Sequence, residues 1–195
     1  PRQNRVGRND GAFGQSRVAQ GIAAQFKSGL YGPALACAAI VGAADLRTHG
    51  ANIEPILREC MQRCPIFVGV RCSAAHSTDA NVTSFATDAN TLRDPNFIKG
   101  FEVLQLLNLL FDLWVYGHQQ NDVYDLAIQY LSQTIVLDHC GTPVGMFNSN
   151  NLSAETTKTS WRNDMAKIAT HCPNVFVKIG DGSLPVLGSG FAKRD

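Results

Sequence analysis

The stretch LLFDLWVYGHQ, residues 109–119, decides how this chain is read. Side chains alternate along a strand, so Phe111, Leu113 and Val115 share one face while Asp112, Trp114, Tyr116 and His118 share the other. One face is wholly apolar. The other is mixed and grows more polar towards the C-terminal end. Two more runs repeat the arrangement. In FVGVR (67–71), Phe67, Gly69 and Arg71 oppose Val68 and Val70; in VFVKIG (175–180), Phe176, Lys178 and Gly180 oppose Val175, Val177 and Ile179.

Working outward, short Val-, Ile-, Leu- or Phe-rich runs predict strands at 36–41, 67–70, 109–116, 134–138 and 175–179. Helical patterns fall between them: 15–27, stopped by Gly29; 54–62, ended before Pro65; a helix starting at Asp94–Pro95, with Phe97, Phe101 and Leu104 on one face; then 121–131 and 160–170, the last stopped by Pro173. The stretch 142–159 reads as a long polar loop. Helix and strand alternate five times, which predicts a parallel sheet with helical crossovers. Such a sheet is either doubly wound or five units of an eight-stranded barrel. The parity favours the barrel, because a barrel strand turns its aliphatic side to the helices and its polar tip into the mouth. A doubly wound sheet has two aliphatic faces and usually a Gly-rich phosphate turn after its first strand, and VGAAD (41–45) is not one.

Composition narrows the function. The 195 residues suffice for one domain, with 1–14 read as an irregular tail carrying Arg2, Arg5 and Arg8, and 15–195 as a partial barrel. Seventeen basic and sixteen acidic side chains give a net charge of +1, which argues against nucleic acid as a partner, and no apolar run is long enough to span a membrane. Six cysteines without C-x-x-C spacing suit reduced thiols in the cytoplasm rather than a zinc knuckle; Cys60 and Cys64 lie one helical turn apart as packed thiols. The chain opens on Pro1 and closes at Asp195, soon after Gly180, Gly182, Gly188 and Gly190, so both ends are expected to be cuts in a longer protein.

Titratable groups gather where the predicted strands end: Asp45, Arg71, Tyr116, Asp138, Lys178 and Asp181, with His49, His76, His118 and His139. Strand-to-helix loops are polar in any case, and His49 and His76 read as ordinary loop residues, His171 as a helix-end histidine. His139 stands apart, since the buried run Ile135–Val136–Leu137 delivers it, flanked by Asp138 and Cys140, to the sheet edge. Asp138 holding a core imidazole is the structural alternative.

Taken together, GPALACAAIVGAADL (32–46), FVGVR, DPNFIKGFEVL (94–104), LLFDLWVYGHQ, TIVLDHCGTPVG (134–145), Trp161 and CPNVFVKIG (172–180) resemble the amidohydrolase-2 family, TIM-barrel hydrolases that include lactonases. The resemblance implies a barrel whose third to seventh strands are present. In that family a His-x-His pair on the first strand, a histidine ending the sixth and an aspartate on the eighth surround the reacting carbonyl, with or without one divalent metal. His139 matches the sixth-strand histidine, as catalytic residue and metal ligand. Arg71 matches a fourth-strand arginine that grips a substrate carboxylate, Tyr116 and His118 match mouth positions, and Lys178 falls on the seventh strand; these four are the expected substrate contacts. No His-x-His occurs in this chain, and no strand follows to carry the aspartate.

The implied activity is opening of a small, anionic lactone by an activated water, with zinc or manganese as the expected metal and a metal-free site as the alternative. The chain alone is then expected to be inactive. A decarboxylase of the same superfamily is the nearest rival; a non-catalytic domain that binds an anion or packs on a partner, and a doubly wound flavin or nucleotide binder, come from other classes. A homo-oligomer is compatible with all of them.

Overall fold

The computed structural model describes residues 9–147 and 152–188. Along them run α1 (Asn9–Lys27), β1 (Ile40–Ala43), α2 (Leu46–His49), α3 (Glu54–Arg63), β2 (Phe67–Ser73), α4 (Pro95–Leu106), β3 (Leu110–Trp114), α5 (Gln120–Gln129), β4 (Ile135–Leu137), α6 (Leu152–His171) and β5 (Val175–Val177). The strands form one parallel sheet in the order β1-β2-β3-β4-β5. That order separates the two fold classes left open by the sequence. A doubly wound sheet reverses direction at a switch point, which places its first strand inside the sheet; here each strand is added on the same side of its predecessor. With right-handed crossovers, such winding brings the helices to one face, as in a (β/α)8 barrel. The barrel is not closed among the described residues, and β1 and β5 are the sheet's edges.

The helix-covered face is the core. Val70, Phe111, Leu113, Ile135 and Leu137 are fully buried on it, each worth about 1.5–3 kcal/mol of apolar burial. Phe97 and Phe101 of α4 meet Phe111 edge-on, with ring centroids 5.8 and 5.1 Å away. The helix starts where the sequence says: Asp94 accepts from the N–H groups of Asn96 (2.8 Å) and Phe97 (3.1 Å), and Pro95 follows. Its glycine has a packing reason, because a Cβ on Gly100 would come within 2.7 Å of the Leu46 carbonyl oxygen. The opposite face is open, and Val41 and Phe176 are exposed on or beside it. Among the described residues no helix is long and apolar enough to cross a membrane. All six cysteines are free, and Cys60 and Cys64 are packed in the core.

Four expectations are corrected. The first strand begins at Ile40 rather than 36, since Cys37 adopts φ 53°, a left-handed turn conformation that no strand accommodates. Phe67 belongs to the core with Val70 rather than sharing a face with Arg71; the register slips between Ile40 and Val41, and such an irregularity resets the alternation. The polar loop 142–159 gives way to helix from Leu152, whose threonine-rich start (Thr156, Thr157, Thr159) has weak helix propensity and hid it. The first helix begins at Asn9, inside the stretch read as tail, while Arg2, Arg5 and Arg8 lie outside the described residues, as does Gly190.

Candidate functional site

The site follows from which residues end the strands. Arg71 registers with Asp112 across β2 and β3. Lys178 comes one residue after β5, where its N–H donates to the Leu137 carbonyl (2.9 Å), so it lies beside Asp138, the residue after β4. From β2 to β5 the charges therefore read cation, carboxylate, carboxylate, cation. Asp112 and Asp138 are 3% and 0% exposed in their side chains, and two buried carboxylates on neighbouring strands repel. Both cations lean inward over the middle strands. Arg71 donates from Nε to Asp112 Oδ1 (3.0 Å) and from Nη2 to Asp138 Oδ2 (2.6 Å). Lys178 Nζ makes a short contact with Asp112 Oδ2 and lies 2.9 Å from Asp138 Oδ1.

The quartet is charge-balanced, yet its two acids differ. Burial pushes both carboxyls up. At Asp112, hydrogen bonds from Asp138, Lys178 and Arg71 outweigh burial and hold the group below the usual carboxylate range. At Asp138, burial and the Asp112 carboxylate outweigh Lys178 and Arg71, and the group is raised. Burial lowers Arg71 and Lys178, but the hydrogen bonds they donate to the carboxylates, with the attraction of both carboxylates, override it and both are raised. The buried Asp138 Oδ1 accepts no hydrogen bond: the ammonium is near it without being aimed at it.

After Leu137 the chain enters a strained turn. His139 (φ 52°), Cys140 (φ 53°) and Thr142 (φ 40°) all lie in the left-handed region, which costs a non-glycine residue on the order of 1 kcal/mol or more. Surrounding bonds hold them there. Cys140 N–H donates to the Lys178 carbonyl (3.0 Å), Trp161 Nε1 to the Cys140 carbonyl (2.7 Å), and Trp114 Nε1 to Thr142 Oγ1 (3.0 Å). The His139 ring stands edge-on to Trp114, 5.4 Å between centroids, with Nδ1 2.5 Å from Asp181 Oδ2. A carboxylate at Nδ1 requires the proton there, so the neutral ring offers its Nε2 lone pair. The alternative in which Asp138 steadies this ring is corrected: Asp138 is committed to Arg71 and Lys178, and Asp181 takes the place.

Of the predicted contacts, Arg71 and Lys178 come together, and His139 follows directly on Asp138. Tyr116 and His118 do not join them. Tyr116 is 2% exposed, its hydroxyl donates to the Thr83 carbonyl (2.5 Å), and burial pushes its phenol up, so it fastens the 74–91 loop. His118 is exposed, with Nε2 2.9 Å from the His76 carbonyl, and lines a cleft of about 370 Å³ with Pro143, Thr157, Ser160 and Trp161. Arg71 lines a larger cleft of about 690 Å³, with Asp45, His49, Ser73 and Phe85. Asp112 was missed as a site residue, although its place on the polar side of the 109–119 strand was the available signal. Gln119 was missed too; its buried amide takes the His76 and Tyr116 N–H groups and donates to the Ala74 carbonyl.

A catalytic zinc takes three protein ligands. Among the described residues no three His, Cys, Asp or Glu side chains gather to hold a metal, and His139 with Asp181 supplies two. The donor set of the described chain does not by itself fit zinc or manganese.

No family model matches the chain. An uncharacterised protein of Sinorhizobium fredii is 31% identical over 140 residues, which is 72% of this chain and 43% of that protein. A zinc-bound crystal structure of an amidohydrolase from Burkholderia multivorans superposes with a TM-score of 0.54 at 26% identity, over 73% of this chain and 43% of that one. A HEPES-bound crystal structure of an amidohydrolase from the same organism gives a TM-score of 0.56 at 22% identity, over 86% and 57%, a likeness of fold. The chain thus spans 43% of the length of the curated relative it matches. Its strand order and its likeness to the zinc-bound amidohydrolase agree: the chain resembles the amidohydrolases and has the fold of an incomplete parallel barrel.

Proposed function

We propose that this chain is the part of an amidohydrolase-type hydrolase that carries the β2-to-β5 side of the mouth, and that the whole protein opens a small lactone bearing an anionic group. The observation that carries the reading is the meeting of Arg71, Lys178 and the His139 turn at one end of the sheet. Arg71 and Lys178 keep half-exposed heads with N–H donors to spare, which suits a substrate carboxylate. His139, its Nδ1 held by Asp181, presents Nε2 to a water and takes its proton as the water oxygen bonds to the ester carbon. The ring C–O bond then breaks, the alkoxide recovers that proton, and a hydroxy acid leaves. No step is routed through a metal, because the described residues do not make up a set that holds one.

The test is His139→Ala in the whole protein, assayed against a panel of sugar-acid and aromatic-derived lactones. A loss of turnover of at least a hundredfold is expected; turnover near the wild-type rate would place the chemistry elsewhere. A second reading, a non-catalytic anion-binding domain, draws on the same quartet and on the lack of any His-x-His in this chain. It predicts anion binding with no lactone turnover even when His139 is intact.

A further inference from the structure

The quartet has a feature that anion binding alone does not require. Arg71 and Lys178 are anchored on β2 and just beyond β5, with two strands between them, and both carry long side chains whose heads are half exposed. Two like charges at the rim of an open face gain most by swinging apart into water. Instead both heads sit over β3 and β4. Asp112 has the reach and burial to hold them: 3% exposed, fixed by the β2–β3 register opposite Arg71, it takes Arg71 Nε on one oxygen and Lys178 Nζ on the other. Asp138 takes the same two cations from the next strand, but one of its oxygens accepts no hydrogen bond.

We propose that Asp112 is a positioning residue: it draws the Arg71 guanidinium and the Lys178 ammonium to one spot above the middle strands and so fixes the spacing of the two cations that meet a ligand carboxylate. The proposal rests on the reading that these cations bind an anionic group. It assigns Asp112 an effect opposite in sign to its charge. Were the cations a simple positive patch, removing a neighbouring negative charge would tighten anion binding. As a positioning residue, Asp112 when neutralised lets the heads drift apart, and binding weakens.

Malonate, a small dicarboxylate, serves as the probe, titrated calorimetrically into the full chain. Asp112→Asn is expected to weaken malonate binding about tenfold while far-UV circular dichroism stays unchanged, and Asp112→Glu, which keeps the charge but lengthens the arm, to fall in between. Unchanged or tighter binding in Asp112→Asn overturns the positioning role and leaves the anion site standing. Absence of malonate binding in the wild type overturns the anion site and this proposal with it. Should Asp112→Asn fail to fold, the half-exposed partners give the answer. If one carboxylate joins them, Arg71→Gln and Lys178→Gln each weaken malonate binding and the double variant is scarcely worse than either. Additive losses, the two fold-changes multiplying, would mean the cations act independently and would overturn the proposal.

Discussion

The mouth of this half-barrel is built in two ways that sit side by side. Arg71, Asp112, Asp138 and Lys178 stand on or one residue beyond regular strands, in ordinary backbone, and are held by one another's charges. His139, Cys140 and Thr142 form a turn whose backbone is unfavourable at three non-glycine positions and is held by hydrogen bonds from Trp114 and Trp161 and by one that Cys140 N–H donates to the Lys178 carbonyl. The quartet's position is paid for by charge pairing, whereas the turn's position depends on neighbours that overrule its local preference. Strain of that kind persists where the surroundings over-determine a conformation, and such places are often functional. The comparison predicts that the quartet fails by losing a charge partner and the turn by losing backbone freedom.

The largest effect should come from the quartet. Asp138→Ala leaves Arg71 and Lys178 crowded on the single carboxylate of Asp112 and opens a cavity in a site that is 0% exposed. Breaking a buried ion pair from one side costs about 3–5 kcal/mol, and the half-exposed cation heads, which can turn to water, bring the expectation to about 3 kcal/mol. Urea unfolding of the full chain would measure it, and a loss under about 1 kcal/mol would mean the quartet contributes little to holding the strands together. Next comes the turn. Gly141 has φ 71°, and a Cβ there would collide with the buried Gln120 amide, so Gly141→Ala combines an unfavourable backbone with a steric clash. A loss of about 2 kcal/mol is expected by the same assay, with the His139 resonances shifting in NMR spectra while those of Arg71 stay in place. If Arg71 moved as much as His139, the two halves of the mouth would be one unit.

The two halves also differed in how far the sequence revealed them. Alternation along 109–119 placed Asp112 on the mouth side, and the same parity placed Lys178 there, because a regular strand transmits its pattern residue by residue. The Asp94–Pro95 start was equally plain, since capping is local chemistry. Phe67 was misplaced because its strand slips register, which one strand's own sequence does not report. The His139 turn was invisible for a different reason: left-handed backbone is announced by glycine or asparagine, and positions 139, 140 and 142 carry neither. Tyr116 has the expected face, but the partner of its hydroxyl, the Thr83 carbonyl, comes from a loop 33 residues away in sequence, which strand alternation does not report.

The smallest effect sharpens the contrast inside the quartet itself, between its two acids. Asp112 is held below the ordinary carboxylate value, so its ionised form stabilises the fold above about pH 3.9 and that contribution is lost on acidification through its lower folded value. Asp138 is raised, by burial first and by the Asp112 carboxylate second, so the folded chain holds its proton more tightly than the unfolded chain does. Its contribution is full below about pH 3.9 and fades as pH climbs through the raised value. The two slopes therefore act on opposite sides of the ordinary value. Asp138→Asn removes the upper one: plotted against pH from 4 to 7, the stability of the wild type minus that of the variant should decline as pH rises and then level off. A difference that instead grows over that range would mean Asp138 is the acid held low and Asp112 the one that keeps the proton, reversing their order in the site.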